Sequence, residues 1–251
     1  MIKKEILVKS TLDGTMQPAL FFYTGKTEKT PLIVVLHTWS YTRYKNVDQF
    51  LPLAEKLGFN IVFPEFRGPN LDSNPNCTQA CASELAKQDI IDTAEYVAAE
   101  YPTDKENIFL IGLSGGGHMS LMMAGYRPDY FKCISAFVPI SDVYKWKDQN
   151  ARYTRHILAC CSNDKEEMYK RSPISYIDTI AQSNTKIFHG KYDPSVPVTQ
   201  SLELYNEMMK KYPTSKVYLD IFDGGHAYKE DLALCWILSQ YNGNELSAVT
   251  G

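Results

Sequence analysis

A series of short, unbroken apolar runs constrains this chain more than any other feature. Leu32-Ile33-Val34-Val35-Leu36 is the clearest, and Asn60–Phe63, Ile108–Ile111, Ile134–Val138 and Lys186–Phe188 repeat the type. A strand with one wet face would alternate apolar and polar residues. Runs without alternation predict parallel strands covered on both faces. Two earlier strands, around Glu5–Ser10 and Pro18–Thr24, are joined through Leu12-Asp13-Gly14, which predicts a hairpin, and Val217–Phe222 reads as a last strand. Helical patterns fill the gaps. Ile90, Ile91, Ala94, Val97 and Ala98 share one face before Tyr101-Pro102. Val47, Phe50, Leu51, Ala54 and Leu57 share another, closed by Gly58; Pro52 predicts that this helix starts late, with the proline in its first turn. The alternation defines an α/β class: one domain over residues 1–251, a mostly parallel sheet of about eight strands, and helices on both faces.

In such sheets ligands gather outside the carboxyl ends of the strands, so the residues just after each run are the candidates. Asn107–Ile111 leads into Gly112-Leu113-Ser114-Gly115-Gly116, and a helical stretch with Met119, Met122 and Met123 follows. Chance alone would place G-x-S-x-G in about one such chain in twenty, so the strand before it and the helix after it carry more weight than the letters. Together they predict a sharp turn that lifts Ser114 Oγ above the sheet as a nucleophile. A phosphate-binding loop would require Gly-Lys-Ser/Thr or G-x-G-x-x-G, and neither is present.

A serine nucleophile needs a base, and a base needs an orienting acid. His226 lies in Asp223-Gly224-Gly225-His226, directly after the last strand, and is the candidate base. Asp193 follows Lys186–Phe188 and is the candidate acid; Asp142 is its chief competitor and Asp223 a distant third. His189 reads as a brace for the acid loop, and His118 as a packed or capping residue.

With these loops in place the sequence resembles the prolyl oligopeptidase-like branch of the α/β-hydrolases and its stand-alone esterase relatives. The matching residues are Gly112–Gly116, His189-Gly190-Lys191-Tyr192-Asp193 with Val196-Pro197, Gly225-His226, Arg171-Ser172-Pro173-Ile174 and Phe66-Arg67-Gly68. The intervals of 79 residues from Ser114 to Asp193 and 33 on to His226 suit that branch and move Asp193 ahead of Asp142. The resemblance implies the α/β-hydrolase fold, catalysis by Ser114, Asp193 and His226, and an oxyanion hole made by the N–H of Gly115 with that of Thr38 or Trp39. The branch often has His-Gly-Gly after its third strand, where this chain has His37-Thr38-Trp39-Ser40. Its peptidases carry a large N-terminal propeller, and about 30 residues precede the core here, which favours a small esterase over a peptidase.

Residues 141–182 are expected to form a lid. Its aromatic residues Tyr144 and Trp146, with Trp39 and Tyr41, are the expected substrate-binding wall, and Arg43 and Arg67 are candidates to meet an anionic group. The expected activity is hydrolysis of a small-molecule carboxylic ester, acetyl or hydroxycinnamoyl esters of carbohydrates being the family analogy. A peptidase of short peptides and a non-catalytic binding protein are the alternatives. A net charge of −3 offers no basic surface for nucleic acid or anionic membrane, and no apolar run is long enough to span a bilayer. With no signal-like N-terminus the expected location is cytoplasmic, with reduced thiols, although Cys77 and Cys81 could bridge in an oxidising compartment. No metal or other cofactor is expected, and a homo-oligomer is possible but not indicated.

Overall fold

The computed structural model describes residues 1–241; the last part of the expected 1–251 domain, residues 242–251, lies outside the described residues. Eight strands form one sheet: β1 (Ile2–Lys9), β2 (Met16–Tyr23), β3 (Thr30–Leu36), β4 (Asn60–Pro64), β5 (Thr103–Leu113), β6 (Cys133–Phe137), β7 (Thr185–Gly190) and β8 (Val217–Phe222). Their spatial order is β1-β2-β4-β3-β5-β6-β7-β8. Only the β1–β2 and β2–β4 pairings are antiparallel. Every apolar run becomes a strand of the parallel part, as burial on both faces requires. β1 runs three residues earlier than the sequence suggests, because pairing from Ile2↔Tyr23 to Lys9↔Met16 holds polar residues that a pattern reading leaves out.

The side-chain period of two sorts the core into two layers. Leu32, Val34 and Leu36 of β3 meet one set of helices: α2 (Glu84–Glu100), α3 (Gly115–Tyr126), α7 (Ile177–Ile180) and α8 (Thr199–Lys211). Ile33 and Val35 meet the other: α1 (Val47–Leu57) and α9 (Glu230–Gln240). Helix α1 corrects one expectation. It begins at Val47, so Pro52 sits inside it and not in the first turn. The missing N–H forfeits one bond, and burial of Phe50, Leu53 and Ala54 against the sheet outweighs the loss.

Residues 141–182 divide in two. Helices α4 (Val143–Gln149), α5 (Ala151–Cys160) and α6 (Lys165–Lys170) gather with Trp39 and Val196 around a third apolar cluster containing Trp146, Ile157, Cys160, Cys161 and Met168. The remainder, with α7, packs Ile174, Ile177 and Ile180 onto the main core. Polar ties anchor α4–α6: Arg171 donates to the carbonyls of Thr78 and Ala80, and Arg155 and His156 both reach Asp72. All six cysteines are free, Cys77 and Cys81 included.

A buried ion network ties the hairpin to the sheet. The Arg67 guanidinium bonds Asp89 of α2 at 2.6 and 3.1 Å, Asp13 of the β1–β2 turn at 2.8 and 3.1 Å, and Ser10 Oγ at 3.1 Å. Arg43 pairs with Glu65 at 2.7 Å. The sequence reading that offered these two arginines to an anionic ligand is therefore corrected: both are consumed by the protein's own carboxylates. No helix among the described residues is long and apolar enough to cross a membrane.

Candidate active site

Strand β5 ends at Leu113 and α3 begins at Gly115, so Ser114 is the entire connection. Its backbone takes φ +59°, ψ −116°, a conformation that L-residues avoid at about 1–3 kcal/mol. Neighbours hold it there: Ser114 N–H donates to Phe137 O at 2.9 Å, and its carbonyl accepts from His118 N at 2.8 Å. A Cβ on Gly115 would stand 2.3 Å from Trp39 N, so the absence of a side chain is what lets the loop after β3 lie against the turn. This contact brings the Trp39 amide beside that of Gly115. The Trp39 N–H donates to no protein group among the described residues, and the Gly115 N–H, first in its helix, has no intrahelical acceptor. His37 fixes the loop from below, its Nε2 bonded to Glu65 O at 2.9 Å and its ring stacked on Phe66.

The other two residues leave adjacent strands, β7 and β8. Asp193 Oδ2 accepts from His226 Nδ1 at 2.7 Å, while Oδ1 accepts the N–H groups of Ser195 and Val196 at 2.8 and 2.9 Å. The Asp193 side chain is fully buried and His226 half-buried. The two loops fit tightly: a Cβ on Gly190 would meet Gly225 O at 2.1 Å. His189 braces the acid loop by bonding Val196 O at 2.9 Å and Ser201 Oγ at 2.7 Å; burial lowers its pKa. Asp142 instead caps α4 through Lys145 N, and Asp223 is exposed. The tautomer of His226 that donates from Nδ1 leaves Nε2 free to accept a proton.

Ser114 and His226 open on one cleft of about 380 Å³, shared with Thr38, Trp39, Tyr41, Lys45, Arg152 and Tyr153. No hydrogen bond joins Ser114 Oγ to His226, whose Nδ1 bonds Asp193. Tyr144 and Trp146 do not line the cleft, contrary to the sequence reading. Trp146 is buried behind Tyr153, stacked on it at 4.6 Å and bonded to Ser195 O, because its indole fills the third cluster. Tyr144 turns outward onto Tyr169. The sequence reading missed Lys45 and Arg152. The signal that could have found Arg152 is its place beside Tyr153 within the aromatic segment. Among the described residues no group of three His, Cys, Asp or Glu could hold a metal ion.

His118, on the first turn of α3, is buried and bonded through Nε2 to Arg171 O at 2.7 Å. Burial drives its pKa down to about 4 from 6.5. Because the folded value lies below the unfolded one, the unfolded chain takes up the proton first on acidification. The contribution of His118 is present above pH 6.5 and is expected to fall by about 3 kcal/mol as pH drops towards 4. Urea unfolding at pH 7.5 and 4.5 should show this fall, and His118→Gln should reduce it without abolishing it, because burial lowers the pKa of His37 and His189 in the same direction.

The parallel sheet and the strand–serine–helix turn, with an Asp/His pair after the last two strands, define an α/β-hydrolase. The chain belongs to the prolyl oligopeptidase family, whose sequence profile matches residues 46–240. It is similar to acylamino-acid-releasing enzyme 2 of Oryza sativa subsp. japonica, 24% identical over 222 residues, covering 76% of this chain and 27% of that protein. It is also similar to feruloyl esterase B of Talaromyces funiculosus, 25% identical over 133 residues, covering 49% and 36%. This chain therefore spans about a quarter to a third of the length of these curated relatives. Among solved structures, a Pyrococcus furiosus esterase shares the fold with a TM-score of 0.73 at 16% identity, over 95% of this chain and 91% of that one.

Proposed function

We propose that this protein is a carboxylic ester hydrolase working through an acyl-enzyme on Ser114. The observation that carries the reading is the convergence of the strained Ser114 turn, the Asp193–His226 pair and the unused N–H groups of Gly115 and Trp39. Ser114 Oγ attacks the ester carbonyl and gives its proton to His226 Nε2, while Asp193 stabilises the imidazolium. Gly115 and Trp39 N–H, and not Thr38, are assigned to the oxyanion on the strength of the Gly115–Trp39 contact. Collapse of the intermediate breaks the C–O bond, and His226 returns the proton to the departing alcohol. Water, deprotonated by His226, then releases the acid and restores Ser114.

The cleft lining supports esters over free peptides: it contains no carboxylate that could hold an α-ammonium group. The feruloyl esterase and the Pyrococcus furiosus esterase point the same way; the latter matches this chain over nearly its full length. Tyr41 and Tyr153 border the cleft and offer ring surface to an aryl or sugar group, which suits hydroxycinnamoyl and acetyl esters, while the Trp39 indole is buried beneath them in the third cluster. The second reading, a peptidase, draws on the acylamino-acid-releasing enzymes, which match the larger share of this chain. A panel of p-nitrophenyl acetate, methyl ferulate and N-acetylaminoacyl arylamides separates the two. The expected kcat/KM for esters exceeds that for arylamides by about 10³-fold or more; arylamides cleaved as fast as esters would favour the peptidase.

A further inference from the structure

We propose that the cleft selects esters carrying a carboxylate away from the scissile bond, anchored by Arg152 with Lys45; this rests on the hydrolase reading of the same site. The chain has six arginines, and five are paired with a carboxylate: Arg43 with Glu65, Arg67 with Asp89, Arg127 with Asp129, Arg155 with Asp72 and Arg171 with Glu167. Arg152, which lines the cleft, has no carboxylate partner among the described residues, and neither has Lys45. Both belong to the lining of the cavity that holds Ser114 and His226, and that lining contributes no Asp or Glu. Asp193, behind His226, is buried and committed to His226 and two backbone N–H groups.

Each cation is held by a ring and not by a counter-charge. Lys45 Nζ lies 4.4 Å from the centre of the Tyr41 ring, and the Arg152 guanidinium 5.7 Å from that of Tyr153. Arg152 also stands in the first turn of α5, where the helix dipole disfavours a cation and favours an anion. A carboxylate entering the cleft would meet two cations that have no carboxylate partner among the described residues. A guanidinium fork suits a carboxylate in particular, because two parallel N–H donors match its two oxygens.

The charge could sit on the acyl group or on the alcohol, and paired substrates separate these. Mono-p-nitrophenyl glutarate against p-nitrophenyl valerate places it on the acyl side; 4-acetoxybenzoate against phenyl acetate places it on the leaving side. In one pair at least, the ratio of kcat/KM for the anionic over the neutral ester should fall about tenfold in Arg152→Ala and further in Arg152→Ala/Lys45→Ala, with Arg152→Glu inverting the preference. It should also fall with added salt. Lys210→Ala, which removes one positive charge far from the cleft, should leave both ratios as they are. Ratios that stay constant across the Arg152 and Lys45 variants in both pairs would overturn the proposal. Binding of the same anionic esters to Ser114→Ala reads the anchor without turnover, and it should weaken about tenfold on adding Arg152→Ala. Unchanged binding there overturns the anion site. Loss of labelling and turnover in the wild type, with Arg152-dependent binding retained, would instead overturn the hydrolase reading alone.

Discussion

Replacing Ser114 with alanine should lower hydrolysis of p-nitrophenyl acetate by about 10⁴- to 10⁶-fold while leaving the fold intact. The substitution removes one oxygen from a position whose backbone is set by its neighbours, with the amide bonded to Phe137 O and the carbonyl to His118 N. Alanine can take up the same turn, so the far-ultraviolet circular dichroism and the urea midpoint should barely move. What remains is whatever rate the two N–H groups and the Asp193–His226 pair give a water molecule unaided. A fluorophosphonate should label the wild-type protein stoichiometrically and the variant not at all. Turnover that survives undiminished would remove Ser114 from the mechanism, however well its geometry suits the role.

Asp89→Ala is expected to have the largest effect on stability, a loss of about 3 kcal/mol. Its side chain and that of Arg67 are almost wholly buried, and removing the carboxylate strands a guanidinium among groups that cannot fully replace it. Asp13 still pairs with that guanidinium, but its side chain is 30% exposed and it belongs to a hairpin turn, so it compensates only in part. The urea midpoint measures the loss. The double replacement Arg67→Met/Asp89→Leu should recover most of it, because an apolar pair of similar volume avoids the desolvation of two charges. If the double variant is as unstable as Asp89→Ala, the loss comes from packing and not from an orphaned charge.

The sheet was readable because burial on both faces leaves an unmistakable pattern, as Leu32–Leu36 and Ile108–Ile111 demonstrate. Ser114 and His226, which share the cleft, and Asp193, which bonds His226 from behind it, were legible as candidates because each follows such a strand, in an order that suits the family the sequence resembles. The wall of the cleft was not. Trp146 and Tyr153 are both aromatic and seven residues apart, yet one is buried behind the other. That choice depends on how α4 and α5 turn against Val196 and Ser195, which no local pattern encodes. Arg43 and Arg67 were offered to a ligand for the same reason: their partners Glu65, Asp13 and Asp89 come from other segments, and charge alone does not reveal pairing. Pro52 misled in a simpler way, since a penalty of one hydrogen bond is small beside three buried side chains.

His226 hangs from β8, and β8 has a neighbour on one side only. Five of its six residues are at least partly open to solvent, whereas β3 is buried along its whole length. Strands at a margin open more readily than those at the centre. On warming or in denaturant, the amides of β8 are therefore expected to exchange with solvent before those of β3, so that His226 loses its place before Ser114 does.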